Sequence, residues 1–225
     1  PATQAKIAAV LRANPCEDEA LVRQLGIDLV TADEEQFFSQ PLDAVDICSP
    51  NVFHLRQVLS ACERGLAVYC EKPIGMNLDE ARRMAEAATQ SGKTNHTAFT
   101  FRYRPCVRQA RAMMAAGLIG EVRHFSARFY HSSYNDPARP ISWRLKHNQS
   151  GGGALADLGI HLIDTLHLLL GDFSWIQCET RTFITERPSS AGSAKMESVD
   201  VDDWALCALG LRNGCAGSME VSRVA

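Results

Sequence analysis

Short apolar segments alternate with segments of helical spacing through the first half of this chain, and that alternation limits the possible folds more than any other feature. Nearly continuous apolar runs predict strands at 6–11, 42–49, 66–70 and 96–101. Helical spacing predicts helices at 17–26, at 52–65 and from Asn77 to about Gly92. Strands that are apolar on both faces and separated by helices form parallel sheets covered on both sides. We therefore expect a doubly wound α/β domain over residues 1–101.

The second half has a different pattern, with longer strands and fewer helices. It predicts a helix over 105–116, a strand over 121–131, a polar loop over 132–150 and, after three glycines, an apolar helix over 154–170. Three further strand-like runs follow, at 175–184, 203–211 and 215–224. We expect an α+β domain over 102–225 with a large, mostly antiparallel sheet. Because the chain starts on one strand and stops within another, we also expect part of each domain to lie outside this sequence.

The composition excludes several classes of protein. With 46% hydrophobic and 22% charged residues, the 225-residue chain has the apolar content of an ordinary globular protein with a sizeable core. The net charge of -3 gives no electrostatic reason to expect a nucleic acid or an anionic membrane as a partner. No apolar run reaches the roughly 20 residues that cross a bilayer, so we expect a cytoplasmic protein. The eight cysteines form no C-x-x-C pair, and we expect buried, reduced thiols.

Two short motifs follow predicted strands of the first domain, at the edge where parallel sheets place ligands. Ser49-Pro50-Asn51 follows the second strand and starts a helix, whose first N–H groups are free to bind an anion. The same tripeptide also fits an ordinary helix start with proline in the first turn. Glu71-Lys72-Pro73 follows the third strand, and Pro73 fixes the backbone of Lys72 at that edge. A positioned Lys72 ammonium can hold a substrate hydroxyl, although a solvated lysine at a turn fits the motif as well.

Three polar residues share one face of the apolar helix predicted over 154–170. At about 100° per residue, His161 lies about 40° from Asp157 around the helix axis, and Asp164 lies about 20° the other way. Burying a carboxylate and an imidazole among leucines is costly unless they pair or face a site. Asp157 can accept a hydrogen bond from His161 or from substrate, and His161 can move a proton near neutral pH. The same three side chains are alternatively metal ligands, although no further ligand with suitable spacing accompanies them.

Two ordered segments resemble the glucose–fructose oxidoreductase / inositol dehydrogenase family, known as Gfo/Idh/MocA. The stretch 43–73, DAVDICSPNVFHLRQVLSACERGLAVYCEKP, is similar to the family's nucleotide-domain segment with its TPN-x-x-H and EKP signatures. The stretch 142–164, SWRLKHNQSGGGALADLGIHLID, is similar to its W-R … GGG-x-x-x-D-x-G-x-H-x-x-D segment. The resemblance implies a Rossmann-type nucleotide domain followed by an α+β domain. It also implies a nicotinamide dinucleotide cofactor, NAD or NADP, and hydride transfer to or from a sugar, polyol or related small molecule.

The resemblance also implies roles for individual residues. It makes Lys72 the anchor of the reacting hydroxyl, His161 the acid/base, and Asp157 the residue that orients substrate or supports the proton transfer. The cofactor contacts that it implies are Ser49, Pro50, Asn51, His54, Glu71, Lys72, Pro73, Arg102, Trp143 and Arg144. The Lys72–Pro73 peptide bond is often cis in the family. Its members pair through the open sheet of the second domain, which implies a homodimer or homotetramer. We further expect Tyr130 and the loop 131–142 to line the substrate pocket with Lys72, Asp157 and His161.

The chain departs from the family pattern in its phosphate-binding turn. The G-x-G-x-x-G motif is absent, and we expect a partial sequence rather than a protein that holds the cofactor differently. Arg12 stands where the family has an acidic residue, and a guanidinium there favours a 2′-phosphate, hence NADP(H) over NAD(H). Two other functions stay open. One is a non-catalytic dinucleotide- or sugar-binding relative, and the other is a metal-dependent hydrolase or lyase that uses Asp157, His161 and Asp164.

Overall fold

The structure, a computed structural model, describes residues 5–15 and 19–225 of the chain. Two compact units are present, residues 1–45 and residues 46–225. The predicted domain boundary between residues 101 and 102 lies inside the second unit, so the domain division stays a prediction.

The first unit contains a pair of parallel strands and two short helices. Ala9 is paired with Leu29 in the parallel register. Asp33 caps the second helix, since its carboxylate accepts hydrogen bonds from the backbone N–H groups of Glu35 and Gln36. The second strand and the second helix were not predicted, because three and five residues are too short to show a period. The elements are β1 (Ala9–Leu11), α1 (Glu19–Leu25), β2 (Leu29–Thr31) and α2 (Glu34–Phe38).

A three-stranded sheet of order β3-β4-β5 comes next, and β4 and β5 run parallel, as predicted. The elements are β3 (Ala44–Ile47), α3 (His54–Glu63), β4 (Ala67–Cys70), α4 (Leu78–Ser91) and β5 (Asn95–Thr97). Helix α4 has the predicted ends, with the Asn77 side chain accepting from the Glu80 N–H and Gly92 left-handed at φ 63°. The strand predicted to Phe101 is wrong beyond Thr97, since Thr100–Tyr103 form a 3-10 turn.

The rest of the second unit is a mixed sheet covered by helices. Its strand order is β6-β11-β10-β7, with β11 and β7 antiparallel to β10 and with β6 parallel to β11. The prediction of a mostly antiparallel sheet is confirmed. The small hairpin of β8 and β9 was not predicted. The elements are α5 (Pro105–Ala115), β6 (His124–Tyr130), α6 (His147–Ser150), α7 (Ile160–Leu170), β7 (Phe173–Arg181), β8 (Glu186–Pro188), β9 (Met196–Ser198), β10 (Trp204–Leu211) and β11 (Ala216–Ser222).

The helical segment before α7 is fixed at its start by Asp202. The Asp202 carboxylate accepts hydrogen bonds from the N–H groups of Gly153, at 3.0 Å, and Leu155, at 2.8 Å. A Cβ on Gly153 would lie 2.1 Å from the Asp202 carbonyl oxygen, so only glycine fits there. Residues Leu155–Gly159 then form a π-turn instead of the first turn of an α-helix. The single α-helix predicted over 154–170 is therefore wrong in its first turn, and the even angular spacing from Asp157 to His161 is lost.

Helix α7 and the π-turn cover the sheet with apolar side chains. Leu166 belongs to one core cluster with Leu209 and Met219, and Leu158 belongs to another with Val221. Each fully buried leucine contributes about 1.5–3 kcal/mol to folding. By length and composition alone the segment His147–Leu170 passes as a membrane span, which is weak evidence because the core helices of water-soluble proteins pass the same test. The packing of Leu158 and Leu166 against the sheet fits such a core helix.

The cysteines are free thiols wherever the structure describes them. Four are buried, namely Cys62, Cys70, Cys207 and Cys215. The expectation of burial is wrong for the three exposed ones, which are Cys48, Cys106 and Cys178. Cys16 lies outside the described residues.

Candidate active site

Strand β4 ends two residues before Lys72 and places its ammonium beside Asp157. The Lys72–Pro73 peptide bond is cis, so that expectation is confirmed. The ammonium donates one hydrogen bond to the Asp157 backbone carbonyl, at 2.9 Å, and a second to the Asp157 carboxylate. An ammonium has three N–H groups, and no other residue that the structure describes accepts the third from Lys72. One donor on a side chain that is only 15% exposed is therefore left for a bound molecule.

Asp157 is held from its other side by a buried arginine that follows β11. The Arg223 guanidinium lies 3.3 Å from the second carboxylate oxygen of Asp157 and donates a further bond of 3.2 Å to the Arg144 carbonyl. The Arg223 side chain is only 2% exposed. An ion pair with so little access to water is screened less than a surface pair. The Asp157 carboxylate is thus fixed between two cations from different parts of the fold.

Opposing effects act on the charge of Asp157. Burial alone would raise the pKa of the Asp157 carboxyl. Attraction by Lys72, its hydrogen bond and the nearby guanidinium groups of Arg223 and Arg144 outweigh that effect and lower the pKa. Asp157 is accordingly a carboxylate at neutral pH.

His161 is held in the opposite condition, as a neutral imidazole. Burial, followed by repulsion from Lys72, lowers the pKa of His161 to about 4. The ring stacks on Phe101, with 4.4 Å between centroids and 15° between planes. Its Nδ1 atom is buried without a hydrogen-bond partner, which leaves Nε2 as the ring nitrogen available to a bound molecule. A neutral His161 can accept a proton at pH 7, whereas a charged one could not.

Two adjoining cavities meet at these groups. The smaller one, which we call the motif cleft, encloses about 480 Å³. The larger one, which we call the His161 cavity, encloses about 770 Å³. The motif cleft is lined by Cys48, Ser49, Asn51, Glu71, Lys72, Trp143, Arg144, Ser150, Gly152, Ala156, Asp157 and Arg223. The His161 cavity is lined by Lys72, Phe129, His131, Ser133, Tyr134, Arg139, Arg144, Asp157, Leu158, His161 and Arg223.

The structure brings the reaction residues and most of the predicted cofactor residues to these cavities. Lys72, Asp157 and His161 line the His161 cavity together. The two sequence motifs meet in the motif cleft, where Ser49, Asn51 and Glu71 lie opposite the W-R pair Trp143 and Arg144. The loop 131–142 contributes four lining residues to the His161 cavity, as expected: His131, Ser133, Tyr134 and Arg139.

His54 lies behind the motif cleft and does not line it. The side chain is fully buried, with Nδ1 2.9 Å from the Pro73 carbonyl and Nε2 3.0 Å from the Ser49 carbonyl. It therefore fastens the Ser49–Asn51 turn to the cis-proline turn. Pro50 and Pro73 are likewise not among the lining residues of either cavity, so their place in the site is that of turn formers.

Three other predicted residues lie outside both cavities. The Arg102 guanidinium binds Asp164 through two nitrogens, at 2.5–2.9 Å, and that pair removes Asp164 from any joint role with Asp157. Tyr130 is 44% exposed on β6, where its hydroxyl donates to Glu220 at 2.5 Å. Arg12 belongs to the first unit, where its backbone N–H donates to Thr31 in β2. The cofactor roles of Arg102 and Arg12 and the substrate role of Tyr130 stay predictions.

A metal centre built from Asp157, His161 and Asp164 has no geometric support. Among residues 5–15 and 19–225, no group of three or more His, Cys, Asp and Glu side chains could hold a metal ion. The two carboxylates are held by different cations, Asp157 by Lys72 and Asp164 by Arg102.

Sequence reasoning missed two arginines that shape the site. Arg223 carries no motif and sits at the end of a run that reads as a plain strand. Arg187 is fully buried in β8, where its guanidinium donates to the carbonyls of Tyr134 and, at 2.7 Å, Asp136. It thereby fixes the loop that lines the His161 cavity. A single sequence shows an arginine but not its burial, so no local signal identified either one.

Two family models match the chain. One, described as an oxidoreductase family with an NAD-binding Rossmann fold, matches residues 1–99, and the other, described as the GFO/IDH/MocA C-terminal domain, matches residues 107–225. The chain belongs to the GFO/IDH/MocA family. The fold is accordingly a Rossmann-like domain followed by a domain with a mixed, mostly antiparallel sheet, and the predicted fold class is confirmed.

Sugar dehydrogenases are among the relatives of this family member. Levoglucosan dehydrogenase of Pseudarthrobacter phenanthrenivorans is 31% identical over 226 residues, which cover 95% of this chain and 58% of that protein. D-xylose 1-dehydrogenase [NADP(+)] of Haloarcula marismortui is 35% identical over 137 residues, covering 59% and 37%. The solved structure of levoglucosan dehydrogenase in complex with NADH and levoglucosan has a TM-score of 0.90 at 32% identity, covering 97% and 58%. The chain thus spans about half the length of the curated relatives it matches.

The low pKa of His161 gives a direct test of the geometry. Replacing Lys72 by methionine removes a positive charge that lowers the pKa of His161, so that pKa rises from about 4 towards its ordinary value of 6.5. Titration of the imidazole signals by NMR measures the change. Lys146→Met is the matched control, because Lys146 pairs with Glu197 and lines neither cavity. An unchanged His161 pKa in Lys72→Met would show that the ammonium does not act on the ring.

Proposed function

We propose that the protein is an NAD(P)-dependent oxidoreductase that interconverts a secondary alcohol and a carbonyl in a sugar, a polyol or a related small molecule. One observation carries the proposal: a charged lysine and a neutral histidine line the same cavity, which adjoins a cleft built from the family's motifs. The names of the relatives support a sugar as the substrate class, because levoglucosan and D-xylose are both sugars.

The motif cleft fits the nicotinamide half of a dinucleotide cofactor. It is lined by the polar side chains of Ser49, Asn51 and Glu71, by Gly152, and by the cation Arg144, which stacks on the Trp143 ring. Ser49, Asn51, Glu71 and the Trp143–Arg144 pair would hold the cofactor there. When bound, the nicotinamide ring supplies the acceptor or donor of the hydride.

Lys72 binds and polarises the reacting oxygen. Its third N–H is the one not used by Asp157, so a substrate hydroxyl placed in the His161 cavity can accept it. The ammonium then stabilises the negative charge that builds on that oxygen as its proton leaves. Asp157 has a positioning role, since its carboxylate and carbonyl hold Lys72 in one orientation.

His161 takes up the proton in the direction of oxidation. The O–H bond of the substrate breaks, and the proton goes to Nε2 of the neutral ring. In the direction of reduction, the same proton returns from Nε2 to the oxygen that Lys72 holds. Phe101 stacks on one face of the His161 ring and covers it.

Loss of His161 should remove the proton transfer but not cofactor binding. We expect His161→Ala in the full-length protein to lower kcat by about 10²–10⁴-fold, which is the usual contribution of a general base. Nicotinamide absorbance across a panel of sugars and polyols measures turnover, and fluorescence titration measures the Kd of NADPH. His124→Ala, an exposed histidine on β6, is the matched control. Wild-type turnover in His161→Ala would assign the proton transfer to another group.

The pH profile gives a second readout of the same role. Because the pKa of His161 is lowered to about 4, the ring is unprotonated throughout the range from pH 5 to 8. We therefore expect kcat/KM for oxidation to show no histidine titration near pH 6.5 in that range. A clear loss of activity as the pH falls through 6.5 would contradict the proposed state of His161.

We also propose that Arg12 makes NADP(H) the preferred cofactor. A guanidinium at the ribose end binds a 2′-phosphate, and charge-assisted hydrogen bonds of this kind are worth about 1.5–3 kcal/mol. Arg12→Asp should therefore weaken NADPH binding by about tenfold or more and leave NADH binding equal or tighter. Titration with both cofactors measures the two Kd values. Arg82→Asp on α4 is the control, because it makes the same change of charge. If the ratio of the two Kd values is unaltered in Arg12→Asp, this part of the proposal is wrong.

We infer that copies of the protein assemble through the mixed sheet. We also infer that the protein is cytoplasmic. Strand β7 exposes large apolar side chains, with Trp175 51% and Ile176 56% exposed, which supports a protein partner there. The free thiols that the structure describes support a reducing compartment. Light scattering of the full-length protein measures the mass, and a monomer at micromolar concentration would contradict the inference.

A further inference from the structure

The His161 cavity holds more positive charge than the proposed reaction uses. Its lining residues include one acid, Asp157, which is already paired with Lys72 and Arg223. Two more cations line the same cavity and form no ion pair with any residue in the described part of the chain. They are Arg139 and Arg144. An unpaired guanidinium beside a cavity attracts an anion, because no protein carboxylate balances its charge.

Of these two arginines, only Arg139 is confined to the proposed substrate cavity. Arg144 lines the motif cleft as well as the His161 cavity, and its charge already acts on Asp157. Arg139 lines the His161 cavity and is not among the lining residues of the motif cleft. The proposed cofactor therefore does not account for Arg139.

The Arg139 guanidinium is held in place before any ligand binds. It lies 4.4 Å from the centre of the Tyr134 ring and donates to the Ser133 carbonyl. Asp136 in the same loop forms no ion pair with Arg139, and its carboxylate accepts the Ala138 N–H at 2.8 Å. The loop itself is anchored by buried Arg187. A guanidinium has five N–H groups, and the remaining ones on Arg139 can bind an oxyanion through two parallel hydrogen bonds.

Arg223, beside the reaction residues, and Arg139 contact the same aromatic ring, that of Tyr134. Arg223, which holds Asp157, has its guanidinium 5.4 Å from the Tyr134 centroid. Arg139 stacks on that ring as well. A sugar that contacts both Lys72 and Arg139 can therefore lie in this one cavity.

We propose that the substrate is a monosaccharide derivative carrying an oxyanion, a carboxylate or a phosphate, that Arg139 binds while Lys72 holds the reacting hydroxyl. This inference rests on the proposed function and narrows its substrate class from sugars in general to acidic sugars. Arg139 is then a specificity-determining residue, because a neutral sugar leaves its charge unpaired. The carboxylate and the phosphate offer the same bidentate acceptor, so the experiment separates them.

Binding of matched sugars to the full-length protein tests the proposal without turnover. Isothermal titration with D-glucuronate, D-galacturonate and D-glucose 6-phosphate is compared with D-glucose and D-galactose, in the presence and absence of NADPH. We expect at least one acidic sugar to bind tenfold or more tightly than its neutral counterpart. The oxyanion is identified by comparing how much more tightly the uronates and the sugar phosphate bind than their neutral counterparts. Arg139→Gln should remove about tenfold of the acidic-sugar affinity, and Arg139→Lys should restore part of it. Neither variant should alter the Kd of NADPH, since Arg139 does not line the motif cleft.

Arg123→Gln is the matched control, since its side chain is 85% exposed and lies outside both cavities. The proposal is overturned if acidic and neutral sugars bind equally or if no acidic sugar binds. It is also overturned if Arg139→Gln weakens the binding of NADPH. Failure of the proposed function shows differently, as an acidic-sugar preference without any change in nicotinamide absorbance. Oxidation of neutral sugars without an acidic preference leaves the proposed function intact and rejects the role of Arg139.

Discussion

The site is built around one partly buried carboxylate that two cations share. Asp157 receives Lys72 from the end of β4 and Arg223 from the end of β11, so three separate stretches of chain meet at one negative charge. Removing one partner of such a group leaves a charge without compensation, which costs about 3–5 kcal/mol when it is buried. The triad therefore ties the end of β4, the turn that carries Asp157 and the end of β11 together, and it orients Lys72 at the same time.

The same charges also determine the state of the neighbouring imidazole. Lys72 repels a proton on His161, while burial against Phe101 penalises the charged ring. The Lys72 ammonium and the neutral imidazole of His161 line one cavity. Such a pair offers one group that binds an oxygen and one that can accept its proton. Arg139 and Arg144 add further positive charge to this cavity, which favours anionic ligands.

Sequence patterns predicted an element correctly where its structure depends on its own residues. Helix α4 begins at its Asn77 cap and ends at Gly92 as predicted, and the Lys72, Asp157 and His161 motifs converge on one cavity. The errors arise from partners distant in sequence. The 3-10 turn that puts Phe101 on His161, the π-turn that displaces Asp157, and the Arg102–Asp164 pair all depend on packing between elements. Arg187 was missed for the same reason, since its burial follows from the loop that it holds.

The attachment of Gly153 to Asp202 has a consequence for how the site would open. Asp157 and His161 sit on a helical segment that is clamped to the entrance of β10, so they travel with the sheet as one body. Lys72 reaches this segment through its bonds to Asp157, and the Asn51 amide adds a second link by donating to the Ser150 carbonyl at 2.7 Å. Separating the two sequence motifs would therefore require that the Lys72–Asp157 contact and the Asn51–Ser150 hydrogen bond break together.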